Sequence, residues 1–146
     1  MDSEIESKVK QYENFISVLK EDLKDVEKQL DNAMKKYNEW DELYRSMKVW
    51  RTLKGRDVDM LVPLGFDVNV NATADVDDRI LVDIGLGCLL EMNYDEAEKY
   101  STIRMRASQR EIDHFRNLAV KVKVNIKLTL LAINELTTAS GGVVQT

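Results

Sequence analysis

An apolar side chain recurs every three or four residues along the first third of the sequence. Starting at Ile5, alternate steps of four and three residues reach thirteen positions, and every one of them is apolar. These positions are Ile5, Val9, Tyr12, Ile16, Leu19, Leu23, Val26, Leu30, Ala33, Tyr37, Trp40, Tyr44 and Met47. A period of 3.5 residues holds one seam against a partner helix, whereas the 3.6 period of a surface helix lets its apolar stripe drift. The sequence therefore predicts a coiled-coil helix over residues 1–54, which Gly55 ends.

A second, weaker heptad pattern occupies the last third of the chain. From Met105 the same steps reach Ser108, Ile112, Phe115, Ala119, Val122, Ile126, Thr129, Ile133 and Leu136. Asn93 is suited to cap this helix, and Glu96 three residues later completes a capping box. The pattern predicts a helix over residues 93–138 and a tail over 139–146. At about 1.5 Å per residue the two predicted helices are similar in length, so they can pair antiparallel if the middle of the chain reverses direction.

The middle of the chain, residues 55–92, breaks the helical pattern. Apolar residues alternate with other residues on either side of a Pro63-Leu64-Gly65 turn and again around Gly85-Leu86-Gly87, with a polar link over 71–78 between them. This pattern predicts two β-hairpins. The predicted fold class is α+β, mostly α: a single domain in which two β-hairpins join the helices of a long antiparallel coiled coil.

The predicted hairpins are too small to complete a sheet by themselves. Four strands of about five residues bury little apolar area, and an open sheet exposes backbone edges that can pair with another chain. We therefore expect other chains to cover them and the hairpins to form an oligomerisation surface. The residues expected to carry it are Met60, Leu61, Val62, Phe66, Val68, Ile80, Val82, Ile84 and Leu89.

The net charge of -5 is distributed unevenly along the chain. Residues 1–54 hold 12 acids and 11 bases, residues 55–97 hold 10 and 2, and residues 98–146 hold 4 and 8. The balanced first helix and the acidic centre offer no basic surface for phosphate backbones, and the last segment has only a modest positive balance, so direct nucleic-acid binding is not expected. The chain has no apolar run long enough to span a membrane, no signal-like start and a single cysteine. We expect a soluble, intracellular protein with no membrane association.

No motif in the sequence predicts an enzyme, a metal site or a cofactor. Gly85-Leu86-Gly87 begins like a nucleotide-binding loop, but Leu90 stands where the third glycine belongs, and a strand follows where a helix is needed. Asp75, Asp77 and Asp78 lack the glycine and closing glutamate of a calcium loop. The first stretch is better explained as a turn and the second as a solvated link.

The positions of single side chains that could react or bind a ligand have structural explanations. His114 lies beside seam positions without a second histidine, so a surface position is expected. Cys88 precedes two leucines in a strand and is expected to be a small buried residue. Trp40, Tyr44 and Trp50 are expected to brace the first helix against the hairpins.

Two segments of the chain resemble alpha-class prefoldin subunits. DMLVPLGFDVNV at 59–70 and RILVDIGLGCLLEMNYDEAEKY at 79–100 resemble that class's paired hairpins and its entry into the second helix. With both coiled-coil arms, the resemblance covers nearly the whole chain. The link NATADVDD differs from the proline-glycine pair of ordinary alpha subunits, which leaves the ordinary hexamer and a variant, prefoldin-like complex both open.

The resemblance implies how such a chain works. Two alpha-class chains pair through their hairpins and recruit four beta-class chains, closing the sheets, while the arms hold non-native client proteins at their tips. In this chain the tip residues are Ile5, Val9, Tyr12, Ile133 and Leu136. For prefoldin-like members the resemblance also implies a complex in cytoplasm and nucleus, and transcription regulators as partners. Two alternatives stay open: a coiled-coil adaptor acting as a transcription coregulator, and a purely structural homodimeric spacer.

Overall fold

The computed structural model describes residues 2–141. Its elements are α1 (Asp2–Thr52), β1 (Asp57–Gly65), β2 (Val68–Asp75), β3 (Arg79–Gly85), β4 (Cys88–Asn93) and α2 (Tyr94–Ser140). This is the predicted α+β fold, in which two antiparallel hairpins join the two helices of a long antiparallel coiled coil. Neither described helix has a stretch apolar enough to cross a bilayer. Most of the predicted tail, residues 142–146, lies outside the described residues.

One compact unit combines α1 up to Met34 with α2 from Gln109 onward. Across residues 3–34, the buried or half-buried side chains of α1 are all heptad seam positions, and Tyr12 is the one seam position that is more exposed, at 38%. The seam positions of α2 in this unit are likewise buried or half-buried. Beside the seam, Lys123 Nζ pairs with Glu27 Oε1 at 3.5 Å. The 3.5-residue period thus identified the contact side of both helices.

The second compact unit spans residues 35–108 and contains a core in which helix and hairpin residues pack together. Its buried members are Met47, Val82, Met92, Tyr94 and Ala97, and the partly buried residues packed against them are Trp40, Leu43, Trp50, Ile80 and Tyr100. Trp40 and Tyr100 meet edge to face, with ring centroids 5.3 Å apart. The predicted bracing role is confirmed for both tryptophans.

The start of α2 carries the predicted capping box. The backbone N–H of Glu96 donates to Asn93 Oδ1 at 2.8 Å, and the backbone N–H of Asn93 donates to Glu96 Oε2 at 3.1 Å. Two of the amide groups that a helix start leaves without intrahelical partners are therefore satisfied reciprocally. This cap fixes the point at which β4 turns into helix.

The end of α1 is held to the short segment between the hairpins. The Gly55 N–H donates to the Val76 carbonyl at 3.2 Å, and the Val76 N–H donates to the Arg56 carbonyl at 3.3 Å. Lys54 Nζ lies 2.5 Å from Asp78 Oδ1, and this hydrogen bond and charge raise the pKa of Lys54. These bonds set where the first hairpin leaves the helix.

Two details of the predicted hairpins are wrong. The supposed polar link over 71–78 is mostly strand, because β2 continues to Asp75 in register with β1 as far as Asp57. The first turn lies at Phe66-Asp67, and Pro63 to Gly65 belong to β1 with an irregular register. Proline is tolerated there because each hairpin is a separate two-stranded sheet, so β1 has an edge without a strand partner among the described residues.

Candidate assembly surface

The first hairpin, formed by β1 and β2, has two unlike faces. Side chains alternate between the two faces along a strand, and directly paired residues share a face. The register therefore places one set of six apolar side chains on the same face. That set is Val58, Met60, Val62, Val70, Ala72 and Ala74, here called the apolar face. Met60, Val62 and Val70 are 37%, 36% and 44% exposed. The described chain therefore leaves much of the apolar face in solvent.

The opposite face of the first hairpin is polar and acidic. Thr73 Oγ1 donates a hydrogen bond to Asp59 Oδ1 at 2.7 Å. Asp57 and Asp75 are directly paired across the strands. The pKa of Asp57 is raised, mainly by a hydrogen bond with Asp75 and to a smaller extent by repulsion from the Asp75 charge. The polar side chains of this face are exposed and bond to one another, so the apolar face is the better candidate for contact with another chain.

Each hairpin turn presents a large apolar side chain in a left-handed backbone conformation. Phe66 has φ 50° and Asp67 φ 59°, while Leu86 has φ 56° and Gly87 φ 71°. Positive φ at both central residues is the type I′ geometry, which favours Asn-Gly. A residue with a Cβ in this region costs about 1 kcal/mol or more. Phe66 and Leu86 are nevertheless fully exposed, so no packing within the described chain offsets that cost.

The second hairpin, formed by β3 and β4, uses one face for the chain's own core. Ile80 and Met92 pair across the strands, and both lie in or against the core with Val82. The other face carries Leu81 and Leu89, which are 66% and 61% exposed. This hairpin is therefore anchored on one side and open on the other.

The residues predicted to form the assembly surface lie in different environments in the structure. Met60 and Val62 lie on the apolar face, and Leu61 lies on the opposite, polar face. Two residues of the second hairpin, Ile80 and Val82, belong to the chain's own core, and Val82 is only 3% exposed. The placement of Val82 on an accessible surface was wrong because β3 turns Ile80 and Val82 toward the chain's own core. The remaining predicted residues, all exposed, are Phe66, Val68, Ile84 and Leu89.

Further exposed apolar residues in the hairpins were missed by the sequence reasoning. They are Leu64, Val70, Leu81, Leu86 and Leu90. Val70 could have been found, since it falls in step with Val68 in the alternation after the turn. Leu86 gave a weaker signal, because a residue between two glycines is easily taken as a spacer. All of them enlarge the apolar surface that the hairpins present.

The backbone edges of the hairpins are also available. The two hairpins form separate two-stranded sheets, so within residues 2–141 each strand has one hydrogen-bonded neighbour. Strand edges of this kind are templates for pairing with another chain. Open edges beside exposed apolar residues are the geometry that assembly by sheet extension requires.

The predicted arm-tip residues mostly lie in the helical seam. Ile5, Val9, Ile133 and Leu136 are half-buried, and Tyr12 is 38% exposed. Their side chains are therefore partly covered by the facing helix in the described conformation. A role in binding clients stays a prediction for all five.

The side chains that could react or bind a metal do not form a catalytic or metal site in the part of the chain described. Cys88 is exposed, which corrects the prediction that it is buried: it follows the turn and pairs with Gly85 at an irregular point of the register. His114 is exposed as predicted, with its ring 5.3 Å from that of Phe115. Among residues 2–141, no three His, Cys, Asp or Glu side chains come together as a metal-binding group.

Comparison with known proteins places this arrangement in a family. The sequence profile of the family described as Prefoldin subunit matches residues 39–139, which include both hairpins and the adjoining parts of both helices. The chain belongs to the prefoldin subunit family. Prefoldin-family proteins are scaffold and chaperone-type proteins without enzymatic activity.

A curated relative and a solved structure agree with this assignment. The Protein UXT homolog of Nematostella vectensis is 29% identical over 136 residues, covering 91% of this chain and 86% of the relative. This confirms the similarity to the ubiquitously expressed transcript protein, a prefoldin-like subunit, which KVKQYENFISVLKEDLKDV and NIKLTLLAINEL predict. A cryo-EM structure of filamentous PFD from Methanocaldococcus jannaschii superposes with a TM-score of 0.51 at 17% identity. The superposition covers 87% of this chain and 98% of the Methanocaldococcus jannaschii chain, and it shows the prefoldin fold.

Proposed function

We propose that this prefoldin subunit is a non-catalytic co-chaperone component that assembles through its hairpins with other prefoldin or prefoldin-like subunits. The observation that carries the proposal is the apolar face of the first hairpin, which the described chain leaves exposed beside open strand edges. Partner strands that extend both hairpins bury this face and satisfy the edges. Family membership supports other prefoldin or prefoldin-like subunits as the partners. The alpha and beta classes of these subunits, and the location of the complex in cytoplasm and nucleus, are part of the proposal.

Native mass measurement tests the assembly. The chain is produced alone and together with beta-class prefoldin subunits, in wild-type form and as two single variants. Val70 and Asn71 are neighbours in β2 whose side chains lie on opposite faces. Val70→Asp places a charge on the apolar face and is expected to abolish the mixed complex, because the closed interface leaves that charge without a partner. Asn71→Asp adds the same charge to the polar face and is expected to preserve the complex.

The mass measurement separates the proposal from its alternatives. A monodisperse monomer that recruits no beta-class subunit contradicts assembly through the hairpins. A homodimer of the wild-type chain that ignores beta-class subunits favours the structural spacer. Equal complex formation by both variants shows that the first hairpin is not the interface.

We propose further that the coiled-coil arms hold non-native client proteins near their tips. The supporting observation is that the seam is incompletely covered there, with Ile5, Val9 and Leu136 half-buried. Apolar groups spread along a helix can bind many sequences without a shaped pocket. Suppression of aggregation of a chemically denatured client is expected to weaken in Ile5→Asp and Val9→Asp. Ser7→Asp is the matched control, because Ser7 is an exposed off-seam position between them. Equal holding by all three variants contradicts the role of the tips.

The adaptor alternative is favoured by a separate observation. Apolar side chains of α2 outside the seam, including Val124 and Leu128, are about half exposed, and pairing of the two helices does not explain them. An adaptor that recruits transcription regulators needs such an outward surface. Under this alternative, substitutions on the outward face that spare the seam abolish the effect of the chain on a reporter gene, while hairpin assembly is unchanged.

A further inference from the structure

The last part of α2 carries a second apolar stripe. Val120, Val124, Leu128 and Leu131 are separated by four, four and three residues, so they follow one another along one face of the helix. They are 59%, 49%, 58% and 52% exposed. These four residues are called the outer stripe. It extends over three turns of helix, or about 16 Å.

The outer stripe lies on the side of α2 that faces away from the seam. Val124 is two residues from seam positions Val122 and Ile126, and Leu131 is two residues from seam positions Thr129 and Ile133. Two residues correspond to about 200° of rotation around an α-helix. Packing in the seam therefore leaves the stripe uncovered. A helix that needed only to pair with α1 would carry polar residues at these positions.

Lysines border the stripe on both sides. Lys121 precedes Val124 by three residues and Lys127 follows it by three, which places one on each flank. Both are exposed, and neither forms an ion pair with an acid in the described part of the chain. From His114 to Asn134 the sequence contains four Lys or Arg residues and no Asp or Glu. In a chain of net charge -5, this stretch of α2 carries only positive charges, one of which, Lys123, pairs with Glu27 of α1.

We propose that the outer stripe docks an amphipathic helix of a partner protein whose apolar residues are flanked by Asp and Glu. Apolar residues at the same spacing bury Val124 and Leu128, and acids beside them meet Lys121 and Lys127. Opposite charges along the flanks set the register and orientation of the bound helix. This inference names the partner class for the adaptor alternative and rests on it; it does not depend on assembly through the hairpins.

The same features disfavour two other occupants. A second copy paired stripe to stripe brings lysines against lysines, which opposes association. A membrane surface attracts lysines, but interfacial helices anchor themselves with a wide apolar face that includes Trp or Phe. The outer stripe consists of four aliphatic residues and contains no aromatic side chain. The opposite face of the same helix packs in the seam. The acidic helix is the occupant that fits both the apolar and the charged parts.

Titration of the full-length chain with synthetic helical peptides tests the proposal. One peptide of about 18 residues carries Leu at the stripe spacing with Glu on both flanks, and a second has Lys in place of each Glu. Binding is followed by fluorescence anisotropy. The acidic peptide is expected to bind saturably, and Val124→Ser with Leu128→Ser is expected to weaken it about tenfold or more. Val18→Ser is the matched control, since Val18 is exposed apolar surface on α1.

Charge reversal provides the second measurement. Lys121→Glu with Lys127→Glu is expected to weaken the acidic peptide about tenfold and to create binding of the basic peptide. Lys99→Glu, at an exposed position of α2 outside the stripe, is expected to change neither. Because all of these residues are exposed, the variants keep the core intact, and thermal unfolding verifies this.

Four outcomes overturn the proposal. They are absence of acidic-peptide binding, equal binding of both peptides, stripe-dependent binding to phosphatidylserine vesicles in place of the peptide, and stripe-dependent self-association. The adaptor role is judged separately on the reporter gene. A reporter effect that persists in the stripe variants, without peptide binding, rejects the inference and leaves the adaptor role standing. Peptide binding without any reporter effect rejects the adaptor role alone.

Discussion

Phe66 and Leu86 occupy the same place in the two hairpin turns. Each is the first central residue, with φ of 50° and 56°, and each side chain is fully exposed. Asn or Gly at these positions adopts the same backbone at lower cost. The proposed assembly accounts for two large apolar residues at two strained, solvent-facing positions, because it gives both side chains a contact in a partner chain.

Replacing either turn residue by asparagine is expected to raise the stability of the isolated chain and to weaken its assembly. Phe66→Asn relieves the left-handed strain and should raise the free energy of unfolding of the isolated chain by about 1 kcal/mol at most. It also removes an apolar group from the proposed assembly surface, so the complex with beta-class subunits should weaken. Urea unfolding and native mass measurement give the two quantities, and Leu86→Asn should behave alike.

Asp67→Asn is the control for the turn variants. Asp67 already has a polar side chain at φ 59°, so this change should leave both stability and assembly close to those of the wild type. If Phe66→Asn assembles as well as the wild type, the turn does not meet a partner. If the variant is no more stable, strain at Phe66 is smaller than the geometry indicates.

Val82 and Leu81 are adjacent in β3 but should respond differently to truncation. Val82 is packed with Met47, Met92 and Tyr94, so Val82→Ala should lower the free energy of unfolding by about 2 kcal/mol through lost burial and a cavity. Leu81 is 66% exposed, and Leu81→Ala should stay within about 0.5 kcal/mol of the wild type. Denaturant unfolding of the isolated chain measures both. Equal losses would place Leu81 in the core and contradict the described face of β3.

The helices were predictable because their period is long and regular. A seam repeated every 3.5 residues from Ile5 to Met47 leaves one arrangement that turns all of the seam positions to the same side of the helix. The Asn93 and Glu96 pair was equally readable, since a capping box depends on two residues at a fixed local spacing. In both cases the determining interactions are local or repeat many times, so the sequence carries them redundantly.

The hairpins were predictable in number but less so in detail. The strand Val68–Asp75 was cut short at Val70 because Asn71, Thr73 and Asp75 read as a polar link, although Ala72 and Ala74 continue the alternation of a solvated strand. The exposed face and the core face of β3 could not be told apart, since Leu81 and Val82 are both apolar. Which one is buried depends on the distant Met47, and such a tertiary contact leaves no local pattern.

Asn93 should contribute measurably to stability through its cap. Asn93→Ala leaves the Glu96 N–H without its side-chain acceptor and should lower the free energy of unfolding by about 1 kcal/mol. Asn117→Ala is the matched control, because Asn117 is an exposed mid-helix residue where alanine is the better helix former. Thermal and urea unfolding of both variants check the prediction. A loss in Asn117→Ala as large as that in Asn93→Ala would show that the cap is not the cause.

The Asp57 and Asp75 pair should make stability depend on pH. The neighbouring carboxyl raises the pKa of Asp57 above its ordinary value of 3.8, so the folded state binds this proton more tightly than the unfolded state does. The resulting stability is fully present below 3.8 and is lost as the pH rises through the raised pKa. The charge of Asp75 opposes the ionisation of Asp57 across the strands.

Asp57→Asn removes this repulsion, because an amide does not ionise and can still donate a hydrogen bond to Asp75. The variant should melt at a higher temperature than the wild type at neutral pH, and the difference should shrink as the pH falls toward 3.8. Both carboxyls are solvent-exposed, so salt should also reduce the difference at neutral pH. Adding Asp75→Asn to the variant should give little further gain, because the repulsion is already absent. Thermal unfolding across the acidic range measures these differences, and a gap that stays constant with pH would show that the carboxyl pair does not titrate as described.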